Sequence, residues 1–249
     1  MTQARSYKTR AIVLRARPLG EADRIVTLFT TERGKMDAIA KGVRRSKSHL
    51  AGRLEFGTES ALTMHHGRSL DVIVTADIVR APWEQLVEPE RFSVASLVCE
   101  LVDAFCEPDL ALPEVYALLA GMIGAIASSD APRALVPRFS LRLLAALGLE
   151  PPTDTCVRCS NVLSGQHAWA DPDAGGIICE QCRERWRDLV EFDAADLQNL
   201  ASLGAPRGDS RATMQARPRV ASAIESIVVH HLGRRPKAGL TIVDSVTRH

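Results

Sequence analysis

Two cysteine pairs constrain this chain more than any other feature: Cys156 with Cys159, and Cys179 with Cys182. Each pair is a C-x-x-C, and nineteen residues separate the two. That spacing suits a four-thiolate zinc site, in which two short knuckles close on one ion. Four protein ligands complete a tetrahedron and leave no position for water or substrate. Such an ion is a structural staple and not a catalyst. The segment between the pairs needs one. Asp171, Pro172, Asp173, Gly175 and Gly176 make it rich in turn formers, with too little apolar surface to order itself. Pro151 and Pro152 mark a break from the helical pattern upstream. A redox dithiol usually stands alone at a helix start, which does not match two pairs. His167 lies inside the loop and could replace one thiolate, although four already suffice.

With 249 residues the chain can form two modest domains or one large one, and 46% hydrophobic with 24% charged residues is ordinary for a globular protein. No apolar run reaches the roughly 18 residues of a membrane span. The N-terminal residues lack the apolar core of a signal peptide. Thiolate ligands need a reducing compartment, so these features together point to the cytoplasm. Cys99 and Cys106 sit in a helical apolar pattern and read as core residues. The formal net charge of +1 conceals a polarised chain. Residues 1–80 carry 15 Lys and Arg against 8 Asp and Glu, whereas the remainder carries 16 against 22. The first part is suited to a polyanion and the second is not.

Residues 8–80 read as five short strands. Runs at 11–14, 24–31, 34–40, 61–64 and 70–79 are rich in β-branched and apolar residues, with turn formers between them. Five such strands suggest a small barrel. From Pro82 the period changes to that of helices. Val94, Leu97, Val98, Leu101, Val102 and Phe105 form one stripe, with Ser93 as its expected N-cap. Pro113 opens a second helix. A third runs from Leu135 to Gly148, and two more follow the cysteines, around Leu197 and from Val220 to Gly233. The expected class is α+β. Residues 1–80 form a barrel that binds nucleic acid, and 81–249 form a helical domain interrupted by a zinc module at 152–184.

The segment from Lys35 to Arg53, which runs from strand three through its connection to strand four, is the second informative feature. Lys35, Lys41, Arg44, Arg45, Lys47 and Arg53 crowd a short stretch that also holds Gly42, Ser46 and Ser48. Cations displace counterions from a phosphate backbone, while hydroxyls and backbone NH groups complete the hydrogen bonds. Small barrels often track single strands along a basic groove. A solvated charged surface is the plain alternative. Tyr7, Phe29 and Phe56 are the only aromatic residues among the first 80, so binding should be mostly electrostatic. Contact with about six phosphates of a single strand gives a log–log salt slope near −4. Nucleotide-loop, zinc-protease and serine-hydrolase motifs are missing, so no enzymatic activity is expected.

Three runs carry a resemblance. They are Gly20-Glu21-Ala22-Asp23-Arg24, the stretch Ala40-Lys41-Gly42-Val43-Arg44-Arg45-Ser46-Lys47-Ser48, and His66-Gly67-Arg68-Ser69-Leu70. With Arg138-Phe139, Leu143 to Leu149 and the cysteine pairs, they resemble the RecO family of DNA repair proteins over residues 8 to about 185. One departure is Glu55-Phe56, where the family often has Pro-Phe. The resemblance implies an N-terminal OB fold, a helical domain and one zinc ion at Cys156, Cys159, Cys179 and Cys182. It also implies binding of single- and double-stranded DNA and annealing of complementary strands. It further implies action with RecR to help RecA load onto strands covered by single-stranded-DNA-binding protein. The acidic, apolar C-terminal tail of that covering protein would be a partner, for which Arg138 and Arg142 are candidates. Membrane partners are not implied, and the location would be cytoplasmic and nucleoid-associated. The rival readings are a general OB-plus-zinc nucleic-acid module of translation or transcription, a metal-dependent nuclease or hydrolase, and a scaffold with an idle basic loop.

Overall fold

The computed structural model describes residues 6–163, 167–184, 189–206, 213, 215–238 and 242. Five strands close into a barrel in the order β1-β2-β3-β5-β4: β1 (Ser6–Leu19), β2 (Asp23–Thr30), β3 (Gly34–Ala40), β4 (Glu59–His65) and β5 (Asp71–Arg80). All pairings are antiparallel except β3 with β5, which is parallel at Ala38 to Ala40. A five-stranded barrel in this order is the expected OB fold. Strict alternation sets the inside. In β3, Met36, Ala38 and Ala40 are buried while Lys35, Asp37 and Ile39 alternate outward. β1 is much longer than its apolar core at Ala11 to Leu14, because polar residues extend it at both ends. Its first half pairs with β4 and its second half with β2, across a bulge between Val13 and Arg15.

Helices follow: α1 (Trp83–Leu86), α2 (Pro89–Phe105), α3 (Pro113–Ser128), α4 (Val136–Ala146), α5 (Ala194–Gly204) and α6 (Pro218–Leu232). α2 begins four residues before Ser93. Its N-cap is Glu88, whose carboxylate accepts from the NH groups of Glu90 and Arg91. Ser93 lies inside the helix and donates back to the Pro89 carbonyl at 2.8 Å. Gly148 and Gly233 end α4 and α6 in the left-handed region, as the sequence suggests. Between α4 and α5 lies a three-stranded sheet of order β7-β6-β8, made of β6 (Ala168–Asp171), β7 (Gly176–Cys179) and β8 (Val190–Phe192). No helix among the described residues is long and apolar enough to cross a membrane.

The chain divides into two compact units, one of residues 1–95 and 99–128, the other of residues 96–98 and 129–249. In the first, the segment after α2 lies against the β2–β3 turn. The Asp109 NH donates to the Lys35 carbonyl at 2.9 Å, and Lys35 bridges to Pro108. Gly34 makes this approach possible. Its φ is +63°, and a Cβ there would stand 1.9 Å from the Leu110 carbonyl oxygen. In the second unit, α5 starts with a capping box of Asp193 and Asp196, and Arg217 pairs with both carboxylates. Gly34→Ala is therefore expected to lower stability by about 2 kcal/mol or more, because strain and backbone clash coincide. A urea-unfolding midpoint equal to that of the parent protein would contradict this packing.

Candidate nucleic-acid interface and metal centre

The connection from β3 to β4 is a chain of tight turns with an apolar underside. Val43, Leu50 and Leu54 belong to the same buried cluster as Val13, Val26, Leu28, Met64 and Ile73 of the barrel. Backbone bonds from Arg45 to Gly42, Ser48 to Arg45, Ala51 to Ser48 and Arg53 to Leu50 hold successive turns. With its apolar residues inside, the loop leaves Lys41, Arg44, Arg45 and Lys47 exposed.

The β1–β2 turn fixes the start of this loop. The Asp23 carboxylate accepts from the Gly42 NH at 2.7 Å. The Ala22 carbonyl accepts from the Arg44 NH at 3.0 Å, and the Gly20 carbonyl accepts from the Arg44 guanidinium at 3.3 Å. The runs at 20–24 and 40–48 are thus one structural object, although they lie apart in sequence. The side chains of Lys41, Arg45 and Lys47 make no hydrogen bond or ion pair with the described residues, so their charges face solvent uncompensated.

Two of the six expected cations are engaged elsewhere. Lys35 donates to the Asp103 carbonyl and lies 3.6 Å from the Asp103 carboxylate. Arg53 donates to the Ala76 carbonyl at 2.8 Å and to Asp77 at 3.1 Å. Lys35 lines a cleft of 360 Å³ together with Arg15, Arg33, Asp37, Asp71, Asp103 and Asp109. Its charges are matched internally. Arg33 bridges Asp71 and Asp109, and Arg15 pairs with Asp103 at 2.8 Å. Burial opposes ionisation of Asp71, but hydrogen bonds from Tyr7, the Gly67 NH and Arg33 outweigh it and hold its carboxyl below the usual range. The cleft is a neutralised network and offers little to a phosphate.

Arg138 and Arg142 face the end of α5. Arg138 is 9% exposed and donates to the carbonyls of Ser202, Leu203 and Ala205, the last two at 2.7 and 2.8 Å. Arg142 donates to the Gly204 carbonyl at 3.2 Å. α5 ends at Ala205 in extended conformation, without a left-handed glycine, so these two arginines supply its C-cap. They are structural here, and an acidic tail would have to compete with four carbonyls for them.

The four cysteines converge. One sulfur from each of Cys156, Cys159, Cys179 and Cys182 lies within 4.8 Å of all the others. Cys159 and Cys179 sulfurs are 3.7 Å apart. A tetrahedral ion with bonds of about 2.3 Å requires sulfurs about 3.8 Å apart, whereas a disulfide requires about 2.0 Å. The donor set and spacing therefore fit one tetrahedral ion. Burial opposes ionisation of Cys156, but the NH groups of Cys179, Cys159 and Arg158 outweigh it and bring its thiol down to about 6. The neighbouring sulfurs, Cys159 first, push Cys182 up to about 12. Four thiolates so close need a cation between them.

The knuckles are held from both sides. The Val157 NH donates to Ile177 of β7, and Ser160 takes a left-handed φ of +60° to let its NH reach the Cys156 carbonyl. Arg158 pairs with the fully buried Asp171 at 2.6 Å. His167 pairs with Glu191 at 2.6 Å and stands outside the sulfur cluster. Cys99 and Cys106 are buried, and burial pushes their thiols up to about 12 and about 11, which makes them inert core residues. Removing bound metal with a chelator is expected to expose Trp169, which is 3% exposed in β6, and to red-shift its emission. One equivalent of Zn²⁺ should restore the signal, and restoration by Mg²⁺ instead would contradict a thiolate site.

Comparisons with known proteins agree with this architecture. The family model for the N terminal of recombination protein O matches residues 1–82, and that for its C terminal matches residues 87–239. A DNA repair protein RecO of Nocardioides sp. is 36% identical over 181 residues, covering 71% of this chain and 74% of that protein. One from Frankia casuarinae is 36% identical over 223 residues, covering 84% and 88%. One from Dehalococcoides mccartyi is 31% identical over 183 residues, covering 74% and 72%. With both family models matched, together spanning nearly the whole chain, and relatives 31–36% identical over most of it, the chain belongs to the RecO family of DNA repair proteins.

Proposed function

We propose that this protein is a non-enzymatic mediator of DNA repair and recombination that binds DNA through the β3–β4 loop and anneals complementary strands. The observation that carries the reading is the apolar anchoring of a loop whose cations point outward. Val43, Leu50 and Leu54 go inward, while Lys41, Arg44, Arg45 and Lys47 remain exposed. A preorganised set of cations binds phosphates without first ordering a flexible loop. Neutralised strands approach one another with less repulsion, which lowers the barrier to pairing. The Ser46 and Ser48 hydroxyls offer donors to the same phosphates, while the Gly42 NH is held by Asp23.

Family membership supports the remaining roles. In this reading the protein acts with RecR to help RecA load onto single strands covered by single-stranded-DNA-binding protein, and it meets the acidic tail of that covering protein. One structural Zn²⁺ would sit on Cys156, Cys159, Cys179 and Cys182. Lys35 and Arg53 contribute less to DNA affinity than the other four cations, because Asp103 and Asp77 hold them. Tail recognition falls to surfaces other than Arg138 and Arg142.

With the four exposed cations on a single strand, the log–log salt slope should be about −3. Replacing Lys41, Arg44 and Arg45 by alanine should reduce its magnitude by about 2. The same variant should no longer accelerate annealing of complementary oligonucleotides coated with single-stranded-DNA-binding protein, followed by fluorescence. Annealing at the parent rate would sink the proposal. Asp23→Ala separates preorganisation from charge. Removing an acid would by charge alone strengthen binding, whereas loss of the Gly42 bond should weaken it by about fivefold. Tighter binding of this variant in a filter or anisotropy titration would show that loop placement does not matter.

A further inference from the structure

The four cysteines that look equivalent in sequence are unequal in the fold. Cys156 is 1% exposed, and its sulfur accepts from the NH groups of Cys179, Cys159 and Arg158. Cys159 is exposed, and Cys179 and Cys182 are half-buried. The cause is local. The Cys156 NH donates to the Asn161 carbonyl and the Cys156 carbonyl accepts from the Ser160 NH, both at 2.8 Å. The first knuckle thus closes on itself around Cys156 and carries Cys159 on its outer limb.

A cleft of 280 Å³ lies against Cys179, lined also by Asn161, Val162, Leu163, His167 and Glu180. Among these, Asn161, Val162, His167 and Glu180 are exposed. A water molecule takes up about 30 Å³, so a small neutral oxidant has room to enter. Cys159 and Cys179 belong to opposite knuckles, with sulfurs 3.7 Å apart. Metal-bound thiols are deprotonated outright, and thiolate character together with exposure decides which sulfur an oxidant attacks. Cys99 and Cys106 are buried in the helical core and have neither property.

We infer that Cys159 is a site of reversible oxidative modification, with Cys179 as its resolving partner, and that a peroxide joins the two as a disulfide and so unloads the metal. The inference rests on the zinc reading proposed above. In the first step the Cys159 thiolate attacks hydrogen peroxide. The O–O bond breaks, one oxygen goes to sulfur as a sulfenic acid, and hydroxide leaves. In the second, the Cys179 thiolate attacks the sulfenic sulfur. The S–S bond forms and a second hydroxide leaves. Two thiolates have given up two electrons, and the peroxide has taken them. Only Cys156 and Cys182 then remain as ligands, too few for a tetrahedral zinc site. The change reaches the small sheet. Arg183 follows Cys182 and stands 4.7 Å from the centre of the Trp169 ring, so release of Cys182 loosens the cover on that ring.

The test uses the full chain loaded with one equivalent of Zn²⁺, its metal content measured before any oxidant is added. Hydrogen peroxide is then added in limited amounts. Released zinc is followed with a chromophoric chelator, and free thiols are alkylated for peptide mapping by mass spectrometry. One Zn²⁺ should leave for each Cys159–Cys179 disulfide formed, while Cys99 and Cys106 stay reduced. Dithiothreitol with one equivalent of Zn²⁺ should restore the loaded protein. Cys159→His keeps a fourth ligand and removes the outer thiolate, so it should slow zinc release by about tenfold. The map of the parent protein decides the matter even if that variant folds poorly. A disulfide within one knuckle, zinc retained after peroxide has oxidised Cys99 or Cys106, or a loss that dithiothreitol does not reverse would each overturn the inference. So would release from Cys159→His at the parent rate. A chain that takes up no zinc at the outset would instead refute the metal reading itself, and this inference with it.

Discussion

The burial of Val43, Leu50 and Leu54 in the barrel core determines what the basic loop can do. Each such side chain contributes about 1.5–3 kcal/mol when fully removed from water. Repulsion between neighbouring surface cations is at most about 1 kcal/mol per close pair in water and is screened by salt. Apolar anchoring therefore wins, and the loop can concentrate positive charge without springing open. The Asp23 and Ala22 contacts to Gly42 and Arg44 add a fixed point at its start. The same three side chains complete the barrel core and orient the cations, so fold and binding surface share one cause.

The barrel was legible because its strands alternate or carry continuous β-branched runs, and a period of two is visible without knowing the partner strand. The cysteine cluster was legible because thiolates at this spacing have few other uses. Less visible was which charges are free. Lys35 looks like its neighbours in sequence, yet its counter-charge is Asp103 in α2, and Arg53 finds Asp77 in β5. Counting charges along a chain cannot detect a partner that only the tertiary fold supplies. The partners of Arg138 and Arg142 were hidden for the same reason, since the carbonyls they cap lie in α5, beyond the zinc module.

Local chemistry was misread at α2. Serine is the stronger N-cap by preference, but the turn begins at Pro89, whose fixed φ suits the first helical position, and Glu88 is then the residue in place to cap. The short strands β6, β7 and β8 span three or four residues each. Runs so short show no period, and β6 meets β7 through the turn at residues 172–175, whose composition marks a turn but not the strands beside it. The contact of Phe56 with Phe92 went unseen because Phe56 belongs to the barrel segment and Phe92 to a helix, and only the fold makes them neighbours.

The arginine clamp from α4 to the end of α5 has a consequence for how the second unit comes apart. The described residues between 147 and 193, including both cysteine pairs, lie between two helices that are joined by side-chain bonds of their own, and β6 and β8 also pack against α6. Lengthening or loosening a loop whose ends are already held costs little, since closure entropy grows only with the logarithm of its length. Opening of this segment would give up its packing on α6, whereas the α4–α5 clamp would be left in place.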